Sequence, residues 1–237
     1  MENLLLLHGA LGAASTLMPL QQALSASYTV FTPEFAGHGG SDFASEPFSI
    51  PLFAQNVLDF MDRQQLQQAH IFGYSMGGYV GLYLAARHPD RVKSVFTLAT
   101  KFAWSEEAAA KEVKLLNPEK IKEKVPQFAA TLAERHAPRN WEEVMHQTAG
   151  LMLGLGKAPV LTADVLATIQ QPVQVAVGDR DNMVTIEETT AAYRQLPNAR
   201  LLVLPATRHP LETVATDRLQ HEINLFTASL PASIPVL

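Results

Sequence analysis

The stretch His70-Ile71-Phe72-Gly73-Tyr74-Ser75-Met76-Gly77-Gly78 decides the fold of this chain. The apolar run His70 to Gly73 leads into G-x-S-x-G over Gly73 to Gly77, and a helical segment with Gly78, Leu82, Ala85 and Ala86 follows. A serine at the apex of a tight strand-to-helix turn sits on strained backbone. The flanking positions must then be nearly free of side chain for strand and helix to approach each other. The helix also aims its N-terminus at the serine, where developing negative charge is favoured. Ser75 is therefore a candidate nucleophile.

Outward from this turn, short β-like runs recur, each followed by helical periodicity, as in a parallel α/β sheet. There are six: Leu4 to Leu7, Tyr28 to Thr32, His70 to Gly73, Ser94 to Leu98, Val173 to Gly178 and Arg200 to Leu204. Their continuous hydrophobicity fits strands covered by helices on both faces. Ser49 is placed to cap a helix with Leu52, Phe53, Val57, Phe60 and Met61 on one face. Thr185 with Glu188 reads as a capping box. From Phe102 to Ile169 no strand candidate occurs. Breaks at Asn117-Pro118, Val125-Pro126, Ala137-Pro138 and Gly154 to Gly156 divide this insertion into four short helices. An insertion between two parallel strands is expected at a sheet end, where it can roof a site. The mixed charges Glu106, Glu107, Lys111, Glu112 and Lys114 read as a solvated helix face. The expected organisation is a core of residues 1–101 and 170–237 with a helical insertion at 102–169, and a loosely held tail from Pro231.

Composition narrows the class. With 237 residues, 47% hydrophobic and 17% charged, the chain can bury a full core and is not of a disordered type. The absence of cysteine excludes a disulfide framework, a thiolate nucleophile and zinc-thiolate or iron-sulfur sites. No apolar run is long enough to span a bilayer, and Met1-Glu2 offers no basic start to a leader. A net charge of −5 without a one-sided Lys/Arg block argues against nucleic acid or anionic membrane as partner. The expectation is a soluble cytoplasmic protein acting on a small molecule.

A serine hydroxyl is a poor nucleophile until a base removes its proton, so a histidine and an orienting acid are required. His209 follows the run ending at Leu204, and Asp181 follows the run ending at Gly178. In a parallel sheet both loops emerge at the carboxyl edge, with Ser75. The chain order Ser, Asp, His is the one expected of a nucleophile-elbow enzyme. Asp179 shares the loop, and spacing alone does not decide between Asp179 and Asp181. The tetrahedral oxyanion needs two donors. The loop His8-Gly9-Ala10-Leu11-Gly12 can bring the Ala10 amide beside that of Met76, with His8 holding the loop by hydrogen bonds.

These motifs resemble the serine hydrolases of the α/β-hydrolase superfamily over nearly the whole chain outside the insertion. Phe31-Thr32-Pro33-Glu34-Phe35-Ala36-Gly37-His38-Gly39-Gly40-Ser41 is similar to the family's loop D-x-P-G-H-G-x-S, with Glu34 in place of Asp and Ala36 in place of Pro. In the family's acid loop the acid stands three residues after the glycine, which favours Asp181, and Arg208-His209 stands for its G-H. The resemblance implies a helical cap for the insertion and needs no cofactor or metal. Family members usually begin with two further antiparallel strands, for which this chain has no room. A shortened, all-parallel six-stranded sheet is therefore expected, in the order 2-1-3-4-5-6. One edge then needs short strands or a partner chain, hence a homodimer as an expectation.

The resemblance implies acyl transfer to Ser75 from a small carboxylic ester or thioester. Lactone opening, carbon–carbon bond hydrolysis and cofactor-free perhydrolysis use the same triad. Serine at the elbow argues against the branches with a carboxylate nucleophile. A non-catalytic receptor of this fold is the reading from another class, and retention of Ser75, Asp181 and His209 counts against it. Phe35, Tyr74, Phe102 and Trp104, with Met152 and Leu155 from the insertion, are candidates for an apolar acyl pocket. His136 and Arg139 are candidates for binding a carboxylate, against a reading as solvated surface.

Overall fold

The computed structural model describes residues 1–230, so the expectation for the tail from Pro231 lies outside the described residues. Six strands form one sheet in the order β2-β1-β3-β4-β5-β6, every pair parallel. They are β1 (Glu2–Leu7), β2 (Tyr28–Phe31), β3 (Ala69–Tyr74), β4 (Val92–Leu98), β5 (Val173–Gly178) and β6 (Ala199–Leu204). Strand count, direction and order are those expected from the sequence. β2 is an edge strand of four residues, and shortness blunts an edge.

The continuous apolar strands separate into two faces because successive side chains point to opposite sides. In β1, Leu5 and Leu7 enter one core with α2 (Ile50–Arg63) and α3 (Met76–Arg87). Leu4 and Leu6 enter the other with α1 (Met18–Leu24) and α10 (Thr216–Ala228). All four leucines are buried, each contributing about 2 kcal/mol by removal from water. Covering helices thus explain why β1 shows no polar alternation.

Local signals set the helix starts. Ser49 Oγ accepts from the Leu52 amide at 3.2 Å and opens α2, which buries Phe53, Val57 and Met61. Thr185 and Glu188 form both halves of a capping box before α9 (Ile186–Gln195).

The segment between β4 and β5 holds five helices where four were expected. They are α4 (Glu106–Val113), α5 (Pro118–Lys124), α6 (Pro126–His136), α7 (Trp141–Lys157) and α8 (Ala163–Ala167). The prolines divide it as read, but Gly154 to Gly156 lies inside α7 and breaks nothing. A Cβ on Gly156 would stand 2.6 Å from Ala109 Cβ and 2.8 Å from the Ser105 carbonyl oxygen. That glycine serves close packing of α7 against α4. The fifth helix, α8, starts where Thr162 Oγ1 accepts from the Val165 amide. Among the described residues no helix is long and apolar enough to cross a membrane.

Candidate active site

Ser75 joins β3 to α3 with φ 51° and ψ −115°, a conformation that costs a residue with a side chain about 1–3 kcal/mol. The surroundings impose it. A Cβ on Gly73 would lie 2.4 Å from Gly78 Cα, and one on Gly77 would lie 2.2 Å from the Leu7 carbonyl oxygen. Only glycine at these positions lets β3, α3 and the end of β1 come together. The Ser75 amide donates to the Leu98 carbonyl at 2.8 Å, and Thr100 Oγ1 donates to the Ser75 carbonyl at 2.9 Å. Both partners sit at the end of β4, so the neighbouring strand clamps the turn. Among the described residues the Ser75 hydroxyl makes no hydrogen bond, and its residue lines two cavities together with His209.

The loops after β5 and β6 bring the candidate acid and base together. His209 Nδ1 stands 2.8 Å from Asp181 Oδ2, while Asp181 Oδ1 accepts from the Met183 and Val184 amides, each at 2.8 Å. Burial works to raise the Asp181 pKa. The His209 contact and the two amides outweigh it and hold the carboxyl below its ordinary value. A carboxylate there favours the tautomer with a proton on Nδ1, which turns Nε2 into an acceptor. Asp179 Oδ1 instead accepts from the Thr207 amide at 3.2 Å, and the Arg180 amide donates to the Thr207 carbonyl at 3.0 Å. Asp179 therefore ties the two loops. Tyr74 Oη donates to the His209 carbonyl at 3.0 Å and supports the histidine loop from β3.

After β1 the loop turns at Gly9, whose carbonyl accepts from the Gly12 amide at 3.0 Å, so Ala10 and Leu11 form its tip. His8 is wholly buried beneath it. Its Nδ1 donates to the Gly9 carbonyl at 2.9 Å, and its Nε2 stands 3.2 Å from Glu34 Oε2. Glu34 Oε1 accepts from the Ala14 amide at 2.8 Å, so the glutamate at the family's aspartate position fastens this loop to the loop after β2.

Two cavities meet at Ser75 and His209. The inner one, of about 50 Å³, is walled chiefly by Ile50, Met76, Tyr79, Trp104, Leu151 and Leu155. The outer one, of about 320 Å³, runs over the Gly9–Gly12 loop to Phe128, Arg135 and Glu212. Ala10, Met152 and Met183 border both. Burial pushes the Tyr79 hydroxyl up to about 12, though it also accepts from the Leu161 amide at 3.1 Å, so it is protonated at neutral pH.

Of the candidate pocket residues, Trp104, Met152 and Leu155 line the inner cavity, and Tyr74 borders the outer one. Phe35 does neither. It is fully buried, stacked on Phe53 at 4.8 Å and tilted against His8 at 4.5 Å, because it packs into the core under the loop. Phe102 packs against that core as well, and its amide donates to Glu188 Oε1 at 2.9 Å. His136 and Arg139 border neither cavity. His136 is buried between two loops, so it is not solvated surface, whereas Arg139 is solvated surface and pairs there with the exposed Asp42.

Lys101 and Glu112 were not foreseen. Glu112, read above as part of a solvated face, is buried, and its Oε1 lies 3.3 Å from Lys101 Nζ in the wall of the inner cavity. Position could have flagged Lys101, which stands just beyond β4 at the carboxyl edge. Nothing local marks Glu112, since which face of α4 turns inward is fixed by its packing on α7.

The family model for the alpha/beta hydrolase fold matches residues 2–137. The chain is 27% identical over 227 residues to the pimeloyl-[acyl-carrier protein] methyl ester esterase of Aeromonas hydrophila, covering 87% of this chain and 88% of that protein. Among solved structures, a serine hydrolase from the polyaromatic-hydrocarbon-degrading bacterium Cycloclasticus zankles superposes with a TM-score of 0.79 at 24% identity, covering 96% of this chain and 90% of that one. The enol-lactonase of Burkholderia xenovorans LB400 superposes with a TM-score of 0.76 at 22% identity, covering 96% and 92%.

Proposed function

The chain belongs to the α/β-hydrolase family and is a hydrolase, and on that premise we propose that it hydrolyses a small carboxylic ester or thioester through an acyl-enzyme on Ser75. The observation that carries this reading is the strained Ser75 between β3 and α3, lining the same two cavities as a histidine bound to Asp181. The methyl ester esterase similar over most of the chain favours a carboxylic ester over the lactone, carbon–carbon and perhydrolysis readings.

In this mechanism His209 Nε2 takes the proton from Ser75 Oγ, and the serine oxygen bonds to the ester carbonyl carbon. The carbonyl oxygen becomes an anion between the Ala10 and Met76 amides. Asp181 steadies the imidazolium. Collapse breaks the bond to the leaving alcohol or thiol, which receives the proton from His209. Water then gives its proton to His209, attacks the acyl carbon and frees the acid, restoring Ser75. The hydrogen bond from Ser75 to His209 forms as substrate closes the site, as catalytic contacts commonly do. Residues 102–169 act as a cap whose helices roof both cavities. The narrow inner cavity holds the acyl chain and the wider outer one the leaving group, which must depart before water enters.

A fluorophosphonate probe tests the reading. Covalent labelling of the wild-type chain with none of Ser75→Ala is expected; an unlabelled wild-type chain would sink it.

A further inference from the structure

Lys101 and Glu112 place a charge pair in the wall of a cavity whose other lining, apart from Ser75, His209 and the Tyr79 hydroxyl and Trp104 indole groups, is apolar. Their side chains are 18% and 11% exposed, and both line the inner cavity with Ser75 and His209. Lys101 Nζ also donates to the Met183 carbonyl at 3.2 Å and lies 5.9 Å from the Trp104 ring centroid, so the ammonium is held from three sides. An ammonium has three N–H groups and a carboxylate can accept several hydrogen bonds. Among the described residues Lys101 is the ionic partner of the Glu112 carboxylate, at 3.3 Å, and no side-chain hydrogen bond to that carboxylate is formed. A buried ion pair gains little over apolar residues of the same volume unless further polar groups complete it. This one faces the space where substrate enters, so the completing group is best supplied by substrate.

We infer that the Lys101–Glu112 pair is a subsite for a neutral hydroxyl group on the acyl chain, which makes short hydroxy-acid esters the preferred substrate class. The inference rests on the acyl-transfer reading and names a substrate for it. Charge selects the group. A carboxylate accepting from Lys101 is repelled by Glu112, and an ammonium donating to Glu112 is repelled by Lys101. A hydroxyl accepts from Lys101 Nζ and donates to Glu112, completing both with one atom. Size selects it too, since about 50 Å³ admits only a few atoms. The wall of Trp104, Leu151 and Leu155 covers the hydrocarbon part.

The test compares kcat/KM of the full chain on p-nitrophenyl esters of butanoate, 3-hydroxybutanoate and butanedioate (the half-ester). The wild-type enzyme is expected to prefer the hydroxy ester by about tenfold or more over each of the others. In the double variant Lys101→Met, Glu112→Leu, that ratio is expected to fall to about one or below. The ratio within one variant is the readout, so a general loss of active protein does not imitate the effect. Should the double variant fail to fold, Glu112→Gln serves. It keeps the shape, lowers the hydroxy-ester preference and raises relative turnover of the half-ester. Wild-type preference for butanoate or the half-ester, or a hydroxy preference that survives both substitutions, overturns the subsite and shows the pair to be a tie between α4 and the end of β4. The parent reading fails differently: Ser75→Ala would then still turn over all three esters.

Discussion

His136 Nε2 lies 3.2 Å from the carbonyl oxygen of Leu11, while Nδ1 of the same ring accepts from the Gly39 amide at 3.2 Å. One buried side chain at the end of α6 therefore fastens the insertion to two loops at the carboxyl edge of the sheet. Arg135 Nη1 donates to the same Leu11 oxygen at 2.8 Å. Leu11 has φ 57°, uncommon for a residue with a branched side chain, and directly follows Ala10, the candidate oxyanion donor. His136→Ala leaves the Gly39 amide without its acceptor and opens a cavity. We expect a loss of about 2–4 kcal/mol in stability, read from urea midpoints. A loss under about 0.5 kcal/mol would mean that the ring ties nothing.

The same ring makes the protein acid-sensitive. Burial drives the His136 pKa down from 6.5 to about 4, against the bond to Leu11, which raises it; Arg135 and His8 lower it further and Glu34 opposes them. Burial lowers His38, 5.7 Å away between ring centroids, as well. A histidine held neutral in the fold binds a proton more readily when unfolded. Its contribution is complete above the unfolded value of 6.5 and is lost as pH falls from there toward about 4. For His136 alone that loss reaches about 3 kcal/mol. Denaturation at pH 7.5 and 4.5 should show a smaller drop in His136→Gln than in the wild-type protein, and equal drops would refute the assignment.

Asp181 and Asp179 stand on one short loop with different partners, the His209 ring for the first and the Thr207 amide for the second. Loss of the acid beside a catalytic histidine allows the wrong tautomer and typically lowers turnover by about 10⁴. Asp181→Asn is expected to approach that loss in ester hydrolysis, and Asp179→Asn to stay within about tenfold of wild type. A greater loss from Asp179→Asn reverses the roles.

The sheet was legible because strand identity is a local property: each apolar run fills both faces of a covered strand, and Gly73, Ser75 and Gly77 report the contact between β3, α3 and β1 at one turn. That Ser75, Asp181 and His209 emerge at one edge of the sheet was legible for a related reason, since strand ends fix where their loops emerge. The cavity walls were legible only in part. Phe35 and Trp104 are both aromatic residues near strand ends, yet one is stacked in the core and the other lines the cavity, and only packing of the surrounding loops separates them. Glycine misled at Gly156, where a small residue marks close approach of two helices and not a helix end. The burial of His136 was not legible, for the same reason as that of Glu112: which side of a short helix turns inward is settled by tertiary contact.

Ser75 carries a stability cost that can be released. At φ 51° and ψ −115° it sits in a region open to glycine and costly to residues with a Cβ. Replacement by glycine removes about 1–3 kcal/mol of strain but adds about 0.5–1 kcal/mol of unfolded-chain entropy. Replacement by alanine keeps the strain, because the Cβ remains. Both variants are expected to lose ester hydrolysis, yet Ser75→Gly should melt several degrees above Ser75→Ala, about 2–4 °C per kcal/mol for a chain of this size. Calorimetry of the two variants in parallel decides it. Equal midpoints would limit the strain at Ser75 to about 0.5–1 kcal/mol, the added chain entropy, which is below the expected range. A lower midpoint for Ser75→Gly would remove the argument that packing by β1, β4 and α3 forces this side chain toward the cavities.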